Sequence, residues 1–260
     1  MSGLTTHVLK KVKFAAELFQ QAKHPLALTG AGISTPSGIP DFRSEGSGLW
    51  SKNEAMEVAS LLTFRYNPLE FYKWFHRLAR QIVEAEPNPA HIALASLEEL
   101  GCLDAVITQN IDVLHQKAGT KKVIEMHGTL RTLSCTQCFS QFDSADFLKA
   151  FIEDEVIPHC SDCGAILKPD VILFGEQLPQ KEWLVAQKAA RNCDLMIVIG
   201  SSLEVLPVAG LPIQTLDRGG HLIIINQTPT YLNVRADIVF TQDVAELLPV
   251  LAEEISNHGR

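Results

Sequence analysis

Six short runs of the chain are apolar with little or no interruption: Leu26–Thr29, Ala105–Thr108, Val123–Met126, Leu195–Ile199, Leu222–Ile225 and Ile238–Phe240. Runs of this length with no polar alternation predict strands buried on both faces. Between many of them the apolar positions switch to a helical period, as in Ile92–Leu100 and Trp183–Ala190. From Val8 to Ala22 the residues Val8, Val12, Ala15, Phe19 and Ala22 share one side of an amphipathic helix that runs straight into the first strand. That segment is expected to belong to the fold rather than to a transit peptide. Strands alternating with helices predict an α/β protein with a parallel sheet covered on both faces.

Ligands of such sheets bind beyond the carboxyl ends of the strands. Five of the predicted strands are followed at once by polar or glycine-rich residues: Gly30-Ala31-Gly32, Gln109-Asn110-Ile111-Asp112, His127-Gly128, Gly200-Ser201-Ser202 and Asn226-Gln227-Thr228. All five loops are therefore expected along one edge. Two stretches break the alternation. Residues 46–89 hold helical sequence rich in aromatics, and 131–168 hold paired cysteines. The expected organisation is a large domain from 1–45, 90–130 and 169–260, with 46–89 and 131–168 forming a smaller one inserted in it.

Charge and composition narrow the function classes. The formal net charge is −8, which disfavours binding to a nucleic-acid backbone. No stretch has the unbroken apolar length of a membrane span. The expected setting is a cytoplasmic, monomeric protein with no nucleic-acid or membrane partner. Four of six cysteines form two C-x2-C pairs, Cys135/Cys138 and Cys160/Cys163. Two such pairs supply four thiolates, enough to close a tetrahedral zinc site and leave no open position for catalysis. The gap from 139 to 159 runs slightly past the usual spacing. A redox dithiol is the rival reading, and His159 is a possible competing ligand. Cys102 and Cys193 read as small buried side chains.

Gly30-Ala31-Gly32-Ile33-Ser34 has the start of a dinucleotide-binding turn, in which free amides hold a pyrophosphate, but Thr35 stands where a third glycine is usual. Its plain alternative is a tight strand-to-helix turn capped by Ser34 or Thr35. His127, at a strand end, is placed for proton transfer or is simply structural. Asn110, Asp112 and Asp41 taken singly read equally well as turn or cap residues, and Arg43 as a surface charge.

Together these segments resemble the sirtuin family. The matching segments are Gly30-Ala31-Gly32-Ile33-Ser34, Gly38-Ile39-Pro40-Asp41-Phe42-Arg43, Thr108-Gln109-Asn110-Ile111-Asp112 and His127-Gly128 ahead of the cysteines. They continue with Lys168-Pro169-Asp170-Val171, Phe174-Gly175-Glu176, Gly200-Ser201-Ser202-Leu203 and Asn226, all in the family's order. The resemblance implies a Rossmann-like domain with a smaller zinc-binding and helical domain, and NAD-dependent removal of acetyl groups from protein lysines. NAD is the implied co-substrate and one structural zinc, on Cys135, Cys138, Cys160 and Cys163, the implied metal.

The resemblance also assigns residues. Gly30, Ala31 and Gly32 would lie near the NAD phosphates, with Thr35, Asp41, Phe42 and Arg43 in the loop over the cofactor. Gly200, Ser201, Ser202, Asn226, Gln227 and Thr228 would hold the adenosine half, with Asp243 and Val244 near the adenine. Gln109 would meet the nicotinamide ribose, and Asn110, Ile111 and Asp112 the nicotinamide. His127 would be the general base that lets a ribose hydroxyl take the acyl group. Products would be nicotinamide, free lysine and O-acetyl-ADP-ribose. An acetylated-lysine protein would add as a strand between Ile172, Phe174, Gly175 and Glu176 on one side and Leu203 and Val205 on the other. Alignment on Asn67-Pro68 puts Phe75 and Leu78 where acid-preferring sirtuins carry Tyr and Arg, so the acyl pocket is expected to be apolar; Tyr72, Arg77 and Arg80 lie close in register. Alternatives are mono-ADP-ribosyl transfer on the same fold and a non-catalytic NAD or acyl-lysine binder.

Overall fold

The structure is a computed structural model that describes residues 4–41 and 56–257. In chain order its main elements are α1 (Thr6–Gln21), β1 (Pro25–Thr29), α2 (Leu61–Tyr66), α3 (Pro68–Glu84), α4 (Pro89–Glu99), β2 (Ala105–Thr108), α5 (Leu114–Lys117), β3 (Val123–Glu125) and β4 (Gly128–Cys135). They continue with β5 (Gln141–Asp143), α6 (Ala145–Asp154), β6 (Leu167–Val171), α7 (Gln180–Asn192), β7 (Leu195–Ile199), α8 (Leu211–Leu216), β8 (His221–Ile225), β9 (Ile238–Phe240) and α9 (Val244–Asn257).

The six runs read as strands form one parallel sheet in the order β3-β2-β1-β7-β8-β9. Alternate residues of each strand face opposite sides. Ala27, Val106, Ile197, Ile223 and Ile225 pack under α1, α4 and α9, while Leu26, Leu28, Ile107, Met196, Val198, Leu222 and Ile224 pack under α7 and α8. Both faces are thus covered, which is why these strands carry no polar alternation. Leu28 is fully buried. Its truncation to alanine is expected to cost about 2–5 kcal/mol through lost transfer energy and a residual cavity.

The chain runs outward from β1 to β3 and then returns to the other side of β1 as β7. This is the doubly wound order, and the reversal between β1 and β7 opens a crevice at their carboxyl ends. α4 is fixed below that edge by a reciprocal cap: Ala90 N donates to Asn88 Oδ1 at 2.9 Å, and Asn88 N to His91 Nδ1 at 3.4 Å.

The two stretches that interrupt the alternation share one core. α3 carries Phe71, Tyr72 and Phe75, and α6 carries Phe151. Phe75 stacks on Phe151 with ring centroids 5.9 Å apart, and Tyr72 meets the same ring edge-on at 5.4 Å. The Tyr72 hydroxyl donates to Leu167 O at 2.6 Å, tying α3 to a small antiparallel sheet ordered β5-β4-β6. That sheet begins at Gly128 and ends at Val171. β4 leaves the sheet edge directly behind His127, and the strand pairing starts before the composition changes. Among the described residues no helix is long and apolar enough to cross a membrane.

Candidate active site

The crevice is built on close approach of two glycine loops. Gly30 N donates to Ile199 O at 3.0 Å and Gly32 N to Gly200 O at 2.9 Å. A Cβ on Gly32 would come within 2.8 Å of Gly200 Cα, and one on Gly200 within 2.3 Å of Ile33 N. Gly200 also has a φ of +61°, in the left-handed region that suits glycine. The glycines are therefore required by loop-on-loop packing, and the amides of Gly30 and Gly32 are not the free phosphate donors that the motif alone suggests. Nor does a long helix follow β1: residues Ala31–Ile33 and Thr35–Ser37 form two 3₁₀ turns. Neither turn has a side-chain cap from Ser34, and Thr35 Oγ1 donates instead to Gly32 O at 3.1 Å.

Ser34 turns inward and is fully buried. Its hydroxyl donates to Asp112 Oδ2 at 2.6 Å, and Leu114 N donates to Asp112 Oδ1 at 3.0 Å. Burial pushes the Asp112 carboxyl above its ordinary range, while these two donors pull it back. Asn110 Nδ2 donates to Gly30 O and to Ser34 Oγ, both at 3.1 Å. Gln109 Nε2 donates to Ser201 Oγ at 2.9 Å. The loops after β1, β2 and β7 are thus joined through side chains. The β2 loop closes on Val113, whose φ of +62° is rare for a β-branched residue.

His127 stands between β3 and β4. Its Nδ1 lies 2.8 Å from Gln109 O. A carbonyl only accepts, so Nδ1 carries the proton and Nε2 holds a lone pair. Burial lowers the imidazole below its ordinary value, partly opposed by the Gln109 carbonyl. The ring is thus neutral near pH 7, in the form a general base needs. Gly128, at φ +77°, follows because a Cβ there would meet Asp170 O at 2.0 Å.

The backbone carbonyl of His127 accepts from Ile172 N at 2.8 Å. From there the chain runs to Phe174, whose amide donates to Ala59 O at 2.9 Å and whose carbonyl accepts from Leu61 N at 3.0 Å. Gly175 and Glu176 follow; Glu176 Oε2 accepts from Leu173 N at 2.8 Å and pairs with Lys168 Nζ at 3.0 Å. Leu203, with a φ of +56°, and Val205 lie on the loop after β7. Leu203 N donates to Ser201 Oγ at 3.3 Å. Ser202 shares the same loop.

The remaining predicted residues are placed at the same edge with plainer local roles. Gly200 N donates to Ile225 O, and Asn226 N to Phe240 O at 3.0 Å. Asn226 Nδ2 donates to Thr228 O at 2.8 Å, with exposed Gln227 between them. Asp243 Oδ1 accepts from Ala245 N at 2.8 Å and so caps α9, which starts at Val244. Ile111 and Asp41 are partly buried. Phe42 and Arg43 lie outside the described residues.

Several residues of this web escape motif reading. Asn88 Nδ2 donates to Ile33 O at 2.8 Å and to Ser37 Oγ at 2.9 Å, bracing the 3₁₀ turns. Ser34, one of two caps in the plain reading of the glycine turn, is instead a partner of Asp112. Phe75 and Leu78 are buried in the apolar cluster of α3. A cavity of about 220 Å³ beside Phe75 is lined by Tyr72, Phe75, Ile82, Val113 and Leu130, reaches Asp112, and also meets Lys117 and Arg131.

The four cysteines come together in the small sheet. Their Sγ atoms all lie within 4.8 Å of one another. Cys135 and Cys163 are 3.4 Å apart, and Cys138 and Cys160 3.5 Å. A tetrahedral tetrathiolate zinc spaces sulfurs by about 3.8 Å, so the four fit the metal with small adjustment. The amides of Cys138 and Gln137 point at Cys135 Sγ and lower its thiol, favouring the thiolate a metal needs. His159 is not a member: it is exposed, and its Nδ1 bonds Ile157 O at 2.8 Å.

Known proteins are similar to this chain in sequence and fold. The Sir2 family pattern matches residues 30–207. An "NAD-dependent protein deacylase 2" of Archaeoglobus fulgidus is 44% identical over 246 residues, 94% of this chain and 96% of that protein. An "NAD-dependent protein deacetylase" of Thermodesulfovibrio yellowstonii is 42% identical, covering 95% and 96%. The solved structure described as "Sir2-p53 peptide-NAD+" superposes with a TM-score of 0.86 at 40% identity, over 95% of this chain and 99% of that one. From the strand order, the glycine crevice, the cysteine quartet and these likenesses together, the chain belongs to the Sir2 family.

Proposed function

We propose that this chain is an NAD-dependent protein lysine deacylase that transfers acetyl from lysine to the ADP-ribose part of NAD, giving nicotinamide and O-acetyl-ADP-ribose. The observation that carries the reading is the bond from His127 Nδ1 to Gln109 O, 2.8 Å long, which leaves a neutral Nε2 as acceptor beside the loop of Asn110 and Asp112. The relatives named as an NAD-dependent protein deacylase and an NAD-dependent protein deacetylase match nearly the whole chain and support the same reaction class.

The geometry supports a division of labour. Asp112 has both oxygens oriented and retains lone pairs for an amide donor. Asn110 is held between the β1 and β2 loops. Such a pair orients a carboxamide, and orientation lowers a barrier by removing the cost of search. NAD supplies an activated ribose carbon when nicotinamide leaves. The acyl oxygen would bond to that carbon, and His127 Nε2 would take a proton from a ribose hydroxyl so that its oxygen could attack the acyl carbon; addition of one water would then release the lysine amine and leave O-acetyl-ADP-ribose. The segment Ile172–Glu176, with Leu203 and Val205 opposite, would line an extended acyl-lysine peptide through backbone groups other than Ile172 N and the amide and carbonyl of Phe174, which are bonded within the chain. The domain division read from the sequence belongs to this proposal: the sheet domain holds NAD, and the zinc and helical parts form the other wall of the cleft.

The apolar cavity beside Phe75 supports acetyl and longer aliphatic acyl groups over acidic ones. The cations in its lining, Lys117 and Arg131, are already engaged, by Ala85 O and by Glu125, so a charged acyl end would be desolvated among mainly apolar walls. The protein is proposed to act as a cytoplasmic monomer on acyl-lysine proteins, with neither nucleic acid nor membrane as partner. Mono-ADP-ribosyl transfer would use the same NAD activation with a different acceptor. Incubation with NAD labelled in the ADP-ribose part separates the two: label in a small acylated product supports deacylation, and label retained on protein overturns it.

A further inference from the structure

Behind Asn110 lies a buried polar chain to which the reaction assigns no task. Thr29 ends β1 and Thr108 ends β2, paired side by side in the sheet, and neither is more than 3% exposed. Thr29 Oγ1 donates to Thr108 Oγ1 at 2.9 Å. His115 Nε2, on α5, lies 2.9 Å from Thr29 Oγ1. Thr108 Oγ1 in turn accepts the backbone N–H of Asn110 at 3.0 Å. With its proton on Nε2, His115 donates to Thr29, Thr29 donates to Thr108, and the last oxygen receives the Asn110 amide. His91 meets the His115 ring edge-on, centroids 4.9 Å apart. Burial keeps both rings neutral, His91 pushed down to about 4 and His115 to about 3.

Burying polar groups inside an apolar sheet costs free energy that their mutual bonds only partly return. Valine at 29 and 108 would fill the same volume with no such cost. Packing alone therefore gives no reason for hydroxyls here, whereas fixing the Asn110 amide does. The Asn110 side chain is already held by Gly30 O and Ser34 Oγ. The chain of hydroxyls holds its backbone end. α5 contributes at two points, because Leu114 N orients Asp112 and the next residue is His115.

We propose that His115, Thr29 and Thr108 form a buried hydrogen-bond relay that positions Asn110, and with it the nicotinamide-binding loop, for NAD activation. The proposal rests on the deacylase reading above. All three are positioning residues, since none lines the crevice itself.

The test compares Thr108→Val, which keeps the shape and loses the hydroxyl, with Thr108→Ser, which keeps the hydroxyl. For Thr108→Val the expected kcat/KM for NAD is roughly 10–100-fold lower, with KM for an acetyl-lysine peptide unchanged within about twofold. Thr108→Ser is expected to recover most of the loss. Wild-type kinetics in Thr108→Val, or a serine variant no better than the valine one, would overturn the relay and make methyl packing the requirement. His115→Gln, which retains a donor, and His115→Leu, which does not, repeat the comparison if Thr108→Val fails to fold. A wild-type chain with no NAD-dependent deacylation would count against the reaction rather than the relay. Calorimetric NAD binding then decides: about tenfold weaker binding in Thr108→Val but not Thr108→Ser supports the relay, and equal affinities overturn it.

Discussion

His127 Nδ1 stands 2.8 Å from the carbonyl oxygen of Gln109, and the residue after Gln109 is Asn110. One backbone step therefore links the proposed general base to the loop proposed to orient nicotinamide. The same bond fixes the tautomer, because the ring proton on Nδ1 is spent on the carbonyl. A shift of the β2 loop would disturb both functions at once.

His127→Ala is expected to lower kcat by about 10²–10⁴-fold while NAD still binds, since the side chain acts on protons rather than on the cofactor's phosphates. Steady-state kinetics with calorimetric NAD titration checks this. Turnover within a few-fold of wild type would remove His127 from the mechanism.

Activity and stability should both decline in acid, for different groups. His127 must be neutral to accept a proton, and its burial-lowered pKa places the acid limb of kcat/KM below the 6.5 of a free imidazole. His91 and His115 titrate near 4 and 3 when folded, so the unfolded chain binds more protons between about pH 6.5 and those values. Their contribution to stability is full above 6.5 and is lost as pH falls toward 4. Melting temperatures followed from pH 7.5 to 4.5 should drop over that window, with a shallower slope in His115→Gln. A flat profile would contradict the neutral buried pair.

Ser34→Ala leaves Asp112 Oδ2 without its 2.6 Å donor. The loss is expected to cost about 1–3 kcal/mol of stability and to lower kcat/KM for NAD more than KM for the peptide. Denaturant unfolding with matched kinetics measures both. An unaffected variant would make the Ser34–Asp112 bond incidental.

Cys135→Ala removes one of four clustered thiols. The expected result is loss of most bound zinc, measured by metal analysis, and unfolding of the β4-β5-β6 sheet, measured by proteolysis, because a structural metal contributes folding energy. A stable variant that has lost its zinc would refute the structural role.

Much of the fold is legible in the chain because buried parallel strands leave a simple trace. The runs at Ala105–Thr108 and Leu195–Ile199 match their strands, and those at Leu26–Thr29 and Leu222–Ile225 fall one residue short at the start. His127 and the Asn110–Asp112 loop were placed by following strand ends. The polar web between them left no such trace. Thr29 and Thr108 look like ordinary strand-end threonines, and the partners that define their role are 79 and 86 residues away. A cap role for Ser34 is only the plain alternative for its glycine turn, and a carboxylate 78 residues on claims its hydroxyl instead. The glycines of the crevice were legible as close-approach residues, but not that the approaching group is another loop of the same chain.

The most direct test is mass spectrometry of an acetyl-lysine peptide incubated with the protein, with and without NAD. The account predicts NAD-dependent loss of the acetyl group with nicotinamide and O-acetyl-ADP-ribose appearing in equal amounts. A succinyl-lysine peptide is expected to be processed at least about tenfold more slowly, because the cavity beside Phe75 is mainly apolar and its lining cations, Lys117 and Arg131, are already bonded to Ala85 O and Glu125. An acetyl-lysine peptide left intact in the presence of NAD, by folded and zinc-loaded protein, would contradict it.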